Sequence, residues 1–184
     1  MKKIISLFQR NYETDRKVRN EVTPGADWVI EGLGTATRKI DGTCCKVRDG
    51  QLFKRYELKH GKIGPEEFEA AQEPDSVTGD TPGWLPVTEL DKWHQEALIN
   101  EIRFNGGIAD GTYELCGPKV QGNPEGYSTH RLIRHGQIVL MDCPRDFEGI
   151  RAYLQARDYE GIVWWRDLNN PDCDKVKIKK KDFA

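Results

Sequence analysis

Apolar and polar residues alternate with a period of two through much of this chain, the pattern of strands that bury one face. Thr35 to Leu58 contains TATRKI, TCCKVR and QLFKRYEL, and Asp49-Gly50 stands between the last two. An Asp-Gly pair between alternating runs marks a tight hairpin turn. The whole segment is therefore expected to be a hairpin, with Lys39 at the end of one strand and the next strand following Gly42. Further strands are expected at GTYELCGP, HRLIRHG, QIVLMDC, EGIVWWRD and KVKIKKK, with NPEGYST as a turn-rich stretch. The period changes to 3.6 in ELDKWHQEALINEIRF, where Trp93, Ala97 and Ile102 share a helical face that Gly106 and Gly107 end. It does so again in DFEGIRAYLQARD, where Ile150, Tyr153 and Leu154 line one side. His60 to Pro86 has neither period and is dense in Gly, Pro and acid, which predicts a long surface loop with one helical turn. Mostly antiparallel strands with two or three flanking helices make an α+β fold.

The 184 residues, with no internal repeat and no obvious linker, fit a single domain that buries roughly 70% of its extended surface. Charged residues at 32% against 37% hydrophobic require a polar rim or cleft. The longest apolar runs, such as IVLM, are strand-sized, so no membrane span is expected. MKKIISLFQRN lacks the apolar stretch of a signal peptide, which points to a cytoplasmic protein, of a cell or an infected host cell; separately, a monomer is expected. The five cysteines include no CxxC pair and read as reduced thiols. Cys44 and Cys45 would point to opposite faces of a strand, and His130 and His135 lack a ligand spacing, so a shared zinc is disfavoured. A net charge of -2 does not by itself favour a polyanion. The charge is uneven, however: Lys175, Lys177, Lys179, Lys180 and Lys181 crowd one end, and Glu66 to Asp80 is acidic. A local basic wall is what a polyanion meets.

Candidate chemistry centres on Lys39. A lysine with an ordinary pKa of about 10.4 is almost wholly protonated at neutral pH, so a lysine nucleophile needs neighbouring cations or desolvation. Glu114 and Glu160 each sit in an apolar strand beside a glycine turn or pair, and Lys177 and Lys179 share a strand face. Two carboxylates and a lysine pair added to Lys39 make a phosphate-and-metal constellation.

The ordered set KIDG, FKRYEL, YELCGP, EGIV and KIK resembles nucleotidyl-transfer motifs I, Ia, III, IV and V of the covalent nucleotidyltransferase superfamily. That superfamily includes the ATP-dependent ligases and the mRNA capping enzymes. KIDGTCC, an arginine on the next strand and PGWLPV resemble the compact 5′-to-3′ RNA ligases of the animal type. The resemblance extends from about Thr35 to Lys179 and implies one ligase-type adenylyltransferase domain over residues 1–184. It implies that Lys39 attacks the α-phosphate of ATP to give lysyl-AMP, with Ile40 and Gly42 completing the nucleotide-binding motif. Arg55 would contact the AMP phosphate or the RNA 5′-phosphate, and Glu114 the ribose. Glu160 would bind Mg²⁺ or Mn²⁺ directly or through water, Asp41 would orient the lysine or a metal-bound water, and Lys177 and Lys179 would neutralise the α-phosphate. The AMP would then pass to an RNA 5′-phosphate, from which a 3′-hydroxyl displaces it, a chemistry of RNA repair. An enzyme that stops at adenylating 5′-phosphate ends, or a silent nucleic-acid-binding module of the same fold, stays open.

The chain departs from that pattern at three points. Arg38 stands where many RNA ligases have Glu, which leaves ATP against GTP open; HRLIRHGQIVLMD offers no aromatic to stack on the base; and only five residues follow Lys179, leaving no room for an appended domain. Taken singly, Lys175 to Lys181 reads as a solvated edge strand, and alternation leaves one of Trp164 and Trp165 exposed.

Overall fold

The computed structural model describes residues 2–183. In chain order the strands are β1 (Ile5–Ser6), β2 (Phe8–Arg10), β3 (Val18–Val22), β4 (Thr35–Lys39), β5 (Thr43–Arg48), β6 (Gln51–Leu58), β7 (Glu69–Ala70), β8 (Thr81–Pro86), β9 (Gly111–Cys116), β10 (Arg131–Arg134), β11 (Gly161–Trp165) and β12 (Lys175–Lys179). The helices are α1 (Asp27–Ile30), α2 (Lys92–Asn105) and α3 (Phe147–Gln155), and a 3₁₀ turn covers Lys180–Asp182. With three α-helices among the described residues and sheets that are antiparallel apart from one short pair, the fold is α+β, as expected. No helix among them is long and apolar enough to cross a membrane.

Two compact units divide the chain, one mainly Asp41–His135 and the other Ile4–Ile40 with the chain from Gly136 onward. The second carries a four-stranded sheet in the order β1-β12-β11-β4. Its alternation is regular: Ala36, Ile162, Trp164, Val176 and Ile178 pack with Ile150, Tyr153 and Leu154 of α3, while Lys175, Lys177 and Lys179 take the other face. Asp146 caps α3 by accepting from the Gly149 N–H at 2.8 Å. Asp182 closes the final turn, accepting from the Lys179 N–H at 3.0 Å and pairing with Arg10 at 2.6 Å while 2% exposed.

The Asp41–His135 unit carries a six-stranded sheet in the order β10-β9-β5-β6-β8-β7. Cys45, Val47, Leu52, Tyr113, Leu115 and Leu132 form its core with Ala97 of α2. Asp49 and Gly50 both have positive φ, 52° and 74°, as the tight turn joining β5 to β6 requires.

Several local expectations are corrected. β4 does not join the hairpin; it pairs with β11 in the other unit's sheet, and the true hairpin is β5–β6. Alternation fixes which face a strand buries but not which strand it pairs with. The expected loop His60–Pro86 contains β7 and β8, and no helix. Pro82, Gly83 and Pro86 hid β8 because these residues are depleted from strands, yet Trp84 within it is 1% exposed. QIVLMDC makes a single bridge, Thr37 with Val139, rather than a strand. α2 buries Ala97 and Glu101, whereas Trp93 and Ile102 are 40% and 48% exposed, because Glu101 is drawn inward by Arg131 at 2.5 Å. β12 lies inside its sheet, not at the edge, and both Trp164 and Trp165 are buried.

Candidate active site

The register of the four-stranded sheet assembles four of the expected residues. Gly161 at the start of β11 stands opposite Lys39 on β4 and Lys179 on β12, so the two lysines flank a position with no side chain. Glu160 precedes that glycine and takes both of them: Lys39 Nζ bonds its Oε2, and Lys179 Nζ lies 2.6 Å from its Oε1. One row along, Val163 stands opposite Lys177. Burial acts on this cluster in two directions. It would raise the Glu160 carboxyl, but the charge of Lys39 and the hydrogen bonds from Lys179 and Lys39 outweigh it and hold that carboxyl below its usual range. For Lys177 burial first, then the charges of Lys179 and Lys39, outweigh the opposing pull of Glu160 and Asp182 and bring it down to about 8. Formally three cations surround one carboxylate in a partly desolvated patch, a surplus suited to a polyphosphate.

Glu160 also suits a hard cation that keeps most of its water and takes one protein carboxylate besides phosphate oxygens, as Mg²⁺ does. Both its oxygens are engaged by ammonium groups, so contact through water fits this donor set.

The remaining expected residues lie in the other unit, except Ile40, which is 4% exposed at the end of its own. Asp41 donates its backbone N–H to Glu125 at 3.0 Å. Gly42 is forced by close approach: a Cβ there would lie 2.2 Å from the Leu115 carbonyl oxygen. Cys44 on β5 is directly opposite Glu114 on β9, and the β5–β6 register places Arg55 on the far side of Cys44. The Arg55 guanidinium lies 4.9 Å from the centre of the Trp84 ring, and burial lowers its pKa. Glu114 is 8% exposed and meets His135 Nε2 at 2.7 Å. Residue spacing gave no hint of His135 as a neighbour, because the contact is made across strands. Parity was the available signal, since HRLIRHG sets Ile133 and His135 on one face and Ile133 stands opposite Glu114.

No family model matches the chain. Two similar proteins are RNA ligase 1 of Danio rerio, 25% identical over 223 aligned positions, and RNA ligase 1 of Rattus norvegicus, 27% identical over 205. The first alignment takes in 79% of this chain and 67% of that protein; the second takes in 70% and 62%. The chain thus spans about two thirds of the length of these relatives. Distant homologues that bear the name RNA ligase 1, at 24–27% identity, support an RNA ligase family for this chain.

Proposed function

We propose that the chain is an ATP-dependent RNA ligase that joins RNA 5′-phosphate and 3′-hydroxyl ends through lysyl-AMP and RNA-adenylate intermediates. The observation that carries this reading is Glu160 bridging Lys39 and Lys179, with Lys177 one row away. In the first step the Lys39 Nζ, having released Glu160 and lost a proton to solvent, forms a bond to the α-phosphorus. The bond from that phosphorus to the β-bridging oxygen breaks and pyrophosphate leaves. Lys177 and Lys179 offset the charge that builds on the transferred phosphate, the principal contribution a protein makes to phosphoryl transfer. Glu160 would hold a divalent cation, Mg²⁺ or Mn²⁺, with Asp41 as the second carboxylate assigned to it, and that cation would supply further neutralisation of phosphate charge. Contact with phosphate and ribose falls to Arg55 and Glu114, which lie on one face of the six-stranded sheet. The RNA substrate and the ligase activity follow the distant homologues' name.

Incubation with α-labelled ATP and Mg²⁺ or Mn²⁺ tests the first step. Label that stays on the denatured wild type and is absent from Lys39→Ala is expected; label on both variants places the adduct elsewhere and rejects the mechanism. Sealing of a nicked, 5′-phosphorylated RNA separates ligation from an enzyme that only adenylates ends.

A further inference from the structure

Three strands of the six-stranded sheet bring Cys44, Glu114 and His135 together, and the Cys44 Sγ, a Glu114 carboxylate oxygen and a His135 ring nitrogen all lie within 4.8 Å of one another. A point inside so small a triangle is within about 2.8 Å of all three atoms, so closing by about 0.5–0.8 Å reaches ordinary zinc bond lengths of about 2.0–2.3 Å. The donors are one sulfur, one nitrogen and one oxygen, a set that suits a thiophilic borderline cation and not Mg²⁺ or Ca²⁺. His135 is oriented at both ends: Nε2 faces Glu114 at 2.7 Å, and Nδ1 faces the Thr112 hydroxyl at 3.0 Å. A hydroxyl can accept as well as donate. When Nε2 gives up its proton to bind a metal, Nδ1–H can therefore donate to Thr112 Oγ1, the outer-shell contact that metal-bound histidines use.

We propose that Cys44, Glu114 and His135 form a three-ligand Zn²⁺ site whose occupation ties up Glu114 and suppresses adenylation. The binding site stands on its own geometry; the inhibition rests on the proposed role of Glu114 at the ribose. Three protein ligands leave a fourth position for water or a substrate group. The metal is thus a regulatory ligand distinct from the Mg²⁺ or Mn²⁺ of phosphoryl transfer.

Titration of the full chain with Co²⁺, a spectroscopic stand-in for Zn²⁺, reads the site without any turnover. One Co²⁺ per chain is expected, with a thiolate charge-transfer band that Zn²⁺ abolishes and Mg²⁺ does not. Cys44→Ser, a near-isosteric change, removes the band and Cys173→Ser keeps it. His135→Ala weakens binding more than 10-fold, and Thr112→Val weakens it about 10-fold, as outer-shell losses do. Absence of the band, its survival in Cys44→Ser, or unchanged affinity in a His135→Ala protein with native circular dichroism overturns the site. In parallel, one equivalent of Zn²⁺ should cut α-labelled ATP adduct formation at least 10-fold in the wild type and leave residual Cys44→Ser labelling unchanged. Bound Zn²⁺ with undiminished labelling overturns the inhibition. Failure of the metal-free protein to label rejects the proposed function instead, and the Co²⁺ titration still decides the site.

Discussion

Lys177 and Lys179 are two residues apart on one strand face, yet their surroundings differ. Lys179 faces Gly161 across the sheet and reaches Glu160 at 2.6 Å, whereas Lys177 faces Val163 and has its pKa brought down to about 8. Parity in KIK showed that the two share a face; it was silent on which would be desolvated, because that depends on the residue opposite. Burying a cation this way has a stability consequence of definite sign. Between about pH 8 and pH 10.5 the unfolded chain holds a proton at this position that the folded protein has lost, so stability from this group rises with pH across that window. Below it the penalty is fully present. Replacement by an uncharged side chain of similar length, Lys177→Met, should therefore stabilise the fold at pH 7 by about 1–3 kcal/mol, a gain that fades as pH nears 10.5. Denaturant unfolding at pH 7 and pH 10 measures it; equal changes at both values reject the assignment. For function the same charge is an asset. Lys177→Ala and Lys179→Ala should each reduce adduct formation roughly 100-fold, the scale of losing one preorganised electrostatic group. The benefit of Lys177 should fall away above about pH 8, while Lys177→Arg holds its activity further into base.

At the scale of elements, the glycines of KIDG and EGIV have a structural reason that a motif does not supply. A Cβ on Gly42 would lie 2.2 Å from the Leu115 carbonyl oxygen, and one on Gly161 would lie 2.1 Å from that of Ile178, in each case a neighbouring strand's backbone. Gly161→Ala should force β11 from β12, destabilise the fold by about 1–3 kcal/mol, and lower adduct formation by moving Lys179 away from Glu160. Gly107→Ala is the comparison, since its Cβ would meet nothing within 4 Å. Thermal melts and labelling of the two variants together test the point, and a Gly161→Ala protein that melts and labels like wild type rejects it. Strand identity was readable for β5, β6, β9 and β11, and the helix DFEGIRAYLQARD buries the three residues its period named, Ile150, Tyr153 and Leu154. Partnership was not readable. Side chains brought together across strands, such as Cys44 and His135, have no sequence spacing to betray them, and the exchange of β4 into the second sheet is settled by long-range pairing that local alternation does not encode.

At the scale of the whole molecule, a net charge of -2 gives RNA no general attraction, so any binding has to come from local cations such as the lysines of β12 and the turn that follows it. This separates the two stages of the proposed reaction by their response to salt. Each single-strand phosphate neutralised by a lysine or arginine contributes a slope of about -0.7 to the dependence of log affinity on log salt. Three such contacts would weaken RNA binding by roughly 20-fold between about 50 and 200 mM salt. Capture of a nucleotide by the partly buried cluster around Glu160 is less exposed to screening, because buried pairs are shielded from the ionic atmosphere. Over that range of salt, sealing of a 5′-phosphorylated nicked RNA at subsaturating RNA should fall much more steeply than formation of the labelled protein adduct. Lys180→Ala and Lys181→Ala, changes outside the Glu160 cluster, should flatten the salt dependence of sealing and leave that of adduct formation as it is. Parallel salt curves for the two stages would mean that this basic end does not meet the RNA.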